Sequence, residues 1–400
     1  MSKNSIPAVR FCDFSDNWES KKIGDLGSVS MNKRIFKDET SETGEVPFYK
    51  IGTFGSEPDS FITREKFEEY KSKYPYPEIG DILISASGSI GRTVEYQGEE
   101  AYFQDSNIVW LKHDERLDNS FLKQFYSIVK WEGIEGTTIK RLYNKNILET
   151  PISLPSPAEQ TAIGTLFRTL DDLLSSYKDN LTNYQSLKAT MLSKMFPKIG
   201  QTVPEIRLDG FEGEWELCEI HDLADDFQSG GTPKTNVQEY WDGDIPWIQS
   251  SDLGINCLFE IKVQKSISEK GLENSSAKII PKDSIAVVTR VGVGKLAVMR
   301  HEYATSQDFL SLSNLKSNIE FTAYLLYRLL QKEVTQLQGT SIKGITKGEL
   351  LSKKVFIPSL PEQQAIGSYF SNLDNLINSH QEKISQLETL KKKLLQNMFI

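Results

Sequence analysis

Ser156-Pro-Ala-Glu-Gln-Thr-Ala-Ile-Gly-Thr-Leu-Phe-Arg-Thr-Leu-Asp171 returns 203 residues later as Ser359-Leu-Pro-Glu-Gln-Gln-Ala-Ile-Gly-Ser-Tyr-Phe-Ser-Asn-Leu-Asp374. Each stretch opens like a helix: Ser156 with Glu159, and Ser359 with Glu362, have capping-box spacing, and Pro157 suits a first turn. Downstream, apolar residues recur at alternating steps of three and four. In the first copy they include Ile163, Leu166, Leu170, Leu173, Tyr177, Tyr184 and Leu187, and in the second Ile366, Tyr369, Leu373, Leu376, Leu387, Leu390 and Leu394. About forty residues at about 1.5 Å each give roughly 60 Å, more than a globular domain needs for its own core. The expectation is two long helices that pair antiparallel along these stripes. Asn180, His380 and Lys383 are the expected polar register markers on the seam.

The repeat extends in both directions. Pro7-Ala-Val-Arg10-Phe11 with Phe14 and Trp18 matches Pro204-Glu-Ile-Arg207-Leu208 with Phe211 and Trp215, at an offset of 197. Gly136-Thr-Thr-Ile-Lys140 matches Gly339-Thr-Ser-Ile-Lys343 at 203. A period near 200 residues is far above solenoid or propeller repeats, so each copy is a whole domain with a helix appended. The reading is an α/β (α+β) tandem duplication with pseudo-twofold symmetry: a globule over 1–155, a helix over 156–198, a second globule over 199–358 and a second helix over 359–400. Residues 30–80 and 228–280 show almost no match, as if one frame carried two different inserts.

Composition sets limits. Hydrophobic residues at 38% and charged residues at 25% are an ordinary globular balance. Met1 to Phe14 has no apolar run of signal-peptide length, and no stretch reaches the ~20 apolar residues of a membrane span, so the expected location is the cytoplasm. Three scattered cysteines and four histidines give no metal or disulfide pattern. A net charge of −9 argues against a uniformly basic nucleic-acid glove, so any such contact must be local.

Local basic and polar segments recur in both copies. Thr137, Lys140, Arg141 and Lys145 correspond to Thr340, Lys343 and Lys347, a mixture of hydroxyls and cations that suits phosphate oxygens and base edges. A strand–glycine loop–strand carries Ser87, Ser89 and Arg92 in one copy, Arg290 and Lys295 in the other. Its glycines serve either a tight turn or the close approach of a ligand. Gln104 and Gln307 head a polar cluster downstream, and glutamine is a bidentate reader of adenine. Within the inserts, Val46-Pro-Phe-Tyr49-Lys50-Ile and Ile245-Pro-Trp-Ile-Gln249 offer Lys50 and Thr53, and Gln249 and Ser250, as base readers.

Catalytic motifs fail on inspection. Gly292-Val-Gly294-Lys295 lacks the strand–turn–helix frame of a nucleotide loop, and the chain has no Pro-Pro for an adenine-methyltransferase tetrapeptide. Asp171-Asp172 reads as solvated charge. The duplicated Pro-x-(Val/Ile)-Arg-x-x-x-Phe-x-x-x-Trp segments resemble the specificity subunits of type I restriction-modification systems, as do the Ser-x-x-Glu-Gln-x-x-Ile-Gly helix starts with Leu170-Asp171 and Leu373-Asp374. So do the ends Lys194-Met195-Phe196 and Asn397-Met398-Phe399. The resemblance implies two target recognition domains, each reading half of a split site in double-stranded DNA, and no catalysis or cofactor in this chain. It implies two methyltransferase (M) subunits using S-adenosylmethionine, and restriction (R) subunits using ATP and Mg2+. A coiled-coil adaptor holding two protein-binding domains apart is the alternative, and a self-sufficient methyltransferase or nuclease would need a constellation that is not found.

Overall fold

A computed structural model describes residues 6–134, 140–198, 200–336 and 344–399. The first copy runs β1 (Glu19–Lys22), β2 (Gly27–Ser30), β3 (Val46–Tyr49), β4 (Phe61–Ile62), α1 (Arg64–Lys73), β5 (Ile82–Ser85), β6 (Thr93–Glu95), β7 (Tyr102–Phe103), β8 (Ile108–His113), α2 (Asn119–Ile128), α3 (Asn144–Glu149), β9 (Pro151–Leu154) and the long α4 (Pro157–Lys194). The second runs β10 (Glu216–Glu219), β11 (Ala224–Ser229), β12 (Trp241–Ile248), β13 (Lys265–Ile267), α5 (Glu269–Glu273), β14 (Ser284–Val288), β15 (Leu296–Met299), β16 (Ala304–Thr305), β17 (Phe309–Leu315), α6 (Ile319–Gln336), α7 (Lys347–Leu351), β18 (Lys354–Ile357) and the long α8 (Leu360–Asn397).

The duplication is topological as well as sequential. The order β2-β8-β5-β6 returns as β11-β17-β14-β15, β4-β3-β7 as β13-β12-β16, and β1-β9 as β10-β18. Even the parallel pair in each insert sheet is shared: Tyr49 sits beside Phe103, and Ile248 beside Thr305. The inserts, where sequence matching fails, therefore keep one architecture. A small sheet with one covered face needs only alternating burial, as in Val46 and Phe48, and many residue choices satisfy that.

The chain forms two compact units, Met1–Lys178 with Glu382–Ile400, and Asp179–Gln381. Both long helices are cut near their middles. The first unit's core joins Ile82, Ile84, Val109 and Phe121 to Ile163, Phe167, Leu170 and Leu174 of α4. It also takes in Leu387 and Met398 of the closing segment, with Phe399 stacked on Phe121 at 5.2 Å. In the second unit the C-terminal end of α4 and the residues after it supply Leu192, Met195 and Phe196, the last stacked on Phe321 at 5.6 Å. Backbone bonds fasten these ends: Val9 N–H donates to Asn397 O at 2.9 Å, and Ile206 N–H to Lys194 O at 3.0 Å.

Within each unit the helix segments run antiparallel. The first unit pairs Asp171 with Lys391 and Lys178 with Glu388 (2.8 Å). The second pairs Lys188 with Asp374 and sets the Tyr184 ring 5.2 Å from His380. The stripe expectation needs correction in its details. Leu173, Leu187, Leu376 and Leu390 are exposed, as are Asn180 and Lys383. The globule claims one flank of each helix, so a single heptad seam cannot bury every stripe position; a straight helix also drifts by roughly 20° per heptad against a 3.5-residue repeat. Charged pairs, Asp171–Lys391 and Asp374–Lys188, mark the register in place of Asn180 and Lys383. Asp171 is thus partly buried and paired, not simply solvated.

A buried clamp begins each long helix. The Glu159 carboxylate, 1% exposed, accepts from Arg10 Nε (2.6 Å), Arg10 Nη2 (2.7 Å) and Trp18 Nε1 (3.2 Å). Glu362 accepts from Arg207 Nε (2.8 Å) and Nη2 (2.7 Å). Only the forward half of the expected capping box forms at α4, Glu159 N–H to Ser156 Oγ at 3.4 Å, because the carboxylate turns inward to arginine. The adjacent Gln160 takes Asp118 N–H on its oxygen at 2.8 Å, and Gln363 takes Asn318 N–H at 3.0 Å. Gly164 completes the joint, since a Cβ there would lie 1.7 Å from Ser120 Oγ.

A fragment of residues 1–198 lacks the closing segment that completes the first unit, but ends in its equivalent, which carries Met195 and Phe196. We expect two such fragments to exchange these ends and form a symmetric dimer. Light scattering checks this, and a soluble monomer at micromolar concentration would refute it.

Candidate nucleic-acid interface

In the first unit the polar segments singled out by sequence converge on one edge. The strand β5 leads into Ala86, whose N–H donates to Asn107 O (2.7 Å) and whose carbonyl accepts from Leu142 N–H (2.9 Å). Gly88 N–H donates to Lys140 O at 3.0 Å, and Ser87 bridges to Arg141. From the insert, Tyr49 O accepts Gln104 N–H (2.9 Å), and the Gln104 side-chain oxygen accepts Ile51 N–H (3.0 Å), which adds one more rung to the β3–β7 ladder. Lys50, Thr53, Ser89, Arg92, Gln104, Lys140 and Arg141 are therefore neighbours in space although they lie far apart in sequence.

The second unit repeats the arrangement. Thr289 N–H donates to Asp308 O (2.7 Å), Ile345 N–H to Thr289 O (2.7 Å), and Ser306 N–H to Ile248 O (3.0 Å). This gathers Gln249, Ser250, Arg290, Lys295 and Gln307 along the same edge. Thr232 Oγ1 donates to the Gln307 oxygen at 2.6 Å, and Lys347 Nζ to Phe227 O at 3.1 Å. Thr137, Thr340 and Lys343 lie outside the described residues.

The recurring cation of the glycine loop has a structural task. Arg92 Nη1 donates to Phe54 O (2.7 Å) and Lys295 Nζ to Ser250 O (3.1 Å), so in each copy it ties the loop to the divergent insert. The glycines serve the turn: Gly91 and Gly294 have φ of 86° and 104°, and a Cβ at Gly294 would press on Val334 at 2.9 Å. Ser87 is buried beneath the edge and presents nothing to a ligand, a correction to its expected role. Gln104 places one lone pair of its side-chain oxygen on Ile51 N–H, which fixes the orientation of its amide at the edge.

Exposed cations remain at the edge: Lys140, Arg141 and Arg290 are solvent-facing. Lys145 is exposed at 3.9 Å from Glu149. Lys50 instead pairs with Asp59 at 2.9 Å and holds that carboxyl below its usual range. Arg34, 3.0 Å from Asp105, also reaches this edge. Sequence reading missed it because nothing in the spacing joins residue 34 to residue 105. No group of three or more His, Cys, Asp or Glu able to hold a metal occurs among the described residues, and no helix there is long and apolar enough to cross a membrane.

The family described as the type I restriction modification DNA specificity domain matches residues 15–184 and 212–389. A Haemophilus influenzae chain named as a type I restriction enzyme specificity subunit is 53% identical over 161 residues, which is 40% of this chain and 42% of that one. The match thus spans less than half the length of that relative. The MjaVIII specificity subunit of Methanocaldococcus jannaschii is 23% identical over 403 residues, 95% of this chain and 91% of that one. In fold, the crystal structure of a type I restriction-modification S subunit from M. genitalium covers 99% of both chains with a TM-score of 0.64 at 16% identity.

Replacing Lys295 by Met removes the tie to Ser250 O. Hydrogen exchange should quicken around residues 249–252 while global stability falls by only about 1 kcal/mol, the worth of one hydrogen bond. Unchanged exchange there would show that the tie does not hold the insert.

Proposed function

The chain belongs to the type I restriction-modification DNA specificity family, and from that premise we propose that it is the subunit that selects the DNA sequence, each recognition domain reading one half of a bipartite site. The observation that carries this is the pair of equivalent edges, in which a shared frame presents basic and polar loops beside inserts of unrelated sequence. Two inserts on one frame suit two unlike half-sites. The antiparallel helix segments set the number of unread base pairs and dock the methyltransferase subunits. The exposed Leu173 and Leu390 of one unit, with Leu187 and Leu376 of the other, supply apolar area for two such partners.

On this reading the chain is non-catalytic and cytoplasmic. Methylation with S-adenosylmethionine belongs to two M subunits, and cleavage with ATP and Mg2+ to R subunits. An acidic chain fits a complex in which partners contribute much of the phosphate contact. The coiled-coil adaptor alternative requires no DNA contact under any partner condition, so DNA binding measured with and without M subunits separates the two.

Mapping methylated adenines in a host carrying this chain should reveal two unlike half-sites with unread pairs between them, their centres about 10 base pairs apart or a multiple. One continuous short motif would sink the proposal. Lys140→Ala should weaken binding of the complex evenly across sequences and lower the salt slope by about one. Relaxed specificity at one half-site would instead make Lys140 a base reader.

A further inference from the structure

In the second unit a cavity of about 300 Å³ opens between the end of α4, α6 and β18. Phe196, Leu325, Leu329, Val355 and Phe356 give it apolar walls. Five cations line it. Lys353 pairs with Glu333 (2.8 Å) and Lys198 with Glu205 (2.9 Å), whereas Arg328, Lys332 and Lys354 form no ion pair among the described residues.

Arg328 is the informative member. Its guanidinium carbon lies 5.5 Å from the centre of the Phe196 ring, and Nη2 donates to Pro197 O at 3.2 Å. Its Nε is buried and has no acceptor among the described residues. Burial draws the guanidinium pKa below its usual value, and burial with the nearby Arg328 and Lys198 charges does the same to Lys332. A partly buried cation without a counter-charge is unfavourable, and an anion beside it relieves that cost.

The duplication supplies an internal control. The helices α2 and α6 correspond at an offset of 200, since Asp118 and Asn318 meet the equivalent Gln160 and Gln363, and the strands β9 and β18 at 203; the first copy therefore holds Ile128, Glu132, Thr150 and Pro151 in place of Arg328, Lys332, Lys353 and Lys354. They line the corresponding cavity of the first unit, which folds on the same frame without these cations. The positive charge is therefore not a requirement of the fold. We propose that the second unit's cavity binds a small organic anion, a phosphate or carboxylate head on an apolar body, with Arg328, Lys332 and Lys354 holding the head and Phe196, Leu325 and Phe356 the body.

The test is calorimetric titration of the full chain with phenyl phosphate, with inorganic phosphate and phenol as controls. One saturable site is expected, weakened about tenfold or more by Lys332→Val and by Arg328→Ile, the latter the residue of the first copy. Each control should bind at least about tenfold more weakly. Lys332 is largely solvent-facing, so Lys332→Val keeps the test decisive if Arg328→Ile does not fold. Equal binding by Lys332→Val, or of inorganic phosphate alone, would overturn the proposal. So would displacement of phenyl phosphate by a short DNA duplex, which would make the cavity a backbone contact.

Discussion

The rest of the structure hangs on a carboxylate buried at the first turn of each long helix. Glu159 and Glu362 cannot stay charged inside a globule without partners, and a bidentate arginine from the start of each copy supplies them. Removing one side of such a pair leaves an uncompensated charge, at a cost of about 3–5 kcal/mol. The clamp joins the first residues of a copy to the point where its helix departs, and in the first copy Gln160 and Gly164 then seat that helix against α2. The two clamps differ in one respect: Trp18 donates to Glu159, while Trp215 Nε1 has no partner among the described residues.

Beyond that anchor, neither compact unit consists of one globule and its own helix alone. Each needs a segment ending in Met-Phe from the other copy's helix, and Phe399 and Phe196 enter equivalent aromatic clusters. The charged pairs Asp171–Lys391 and Asp374–Lys188 hold the helix segments in register where they leave those clusters. Several stripe leucines stay at the surface, since the globule covers only one flank of each helix.

The frame and the polar edge are under different physical demands. Buried strands such as β5 and β14 are enclosed on both faces, and their neighbours constrain them from every side. The insert sheets need only an inward alternation and a tie to the glycine loop, which Arg92 and Lys295 provide through backbone carbonyls. A bond to a carbonyl asks nothing of the side chain on the residue that offers it. Phe54 and Ser250 can therefore serve the same role, and the insert sequences are free to diverge while topology persists.

Linear order was enough to reveal the duplication, the two long helices and the family, because heptad spacing and paired Arg, Trp, Glu and Gln positions survive in it. It also marked loops that meet at each polar edge. It could not tell that Glu159 turns to Arg10 and not to its own helix cap, that Ser87 is buried, or that Gln104 commits its oxygen to Ile51. Each of those depends on a partner far away in the chain. Packing settled which apolar stripe residues are covered, since a helix flank is buried only where another surface reaches it. The same holds for Arg328: spacing shows a cation in a helix, and only the approach of Phe196 and Pro197 leaves that cation partly buried without a counter-charge.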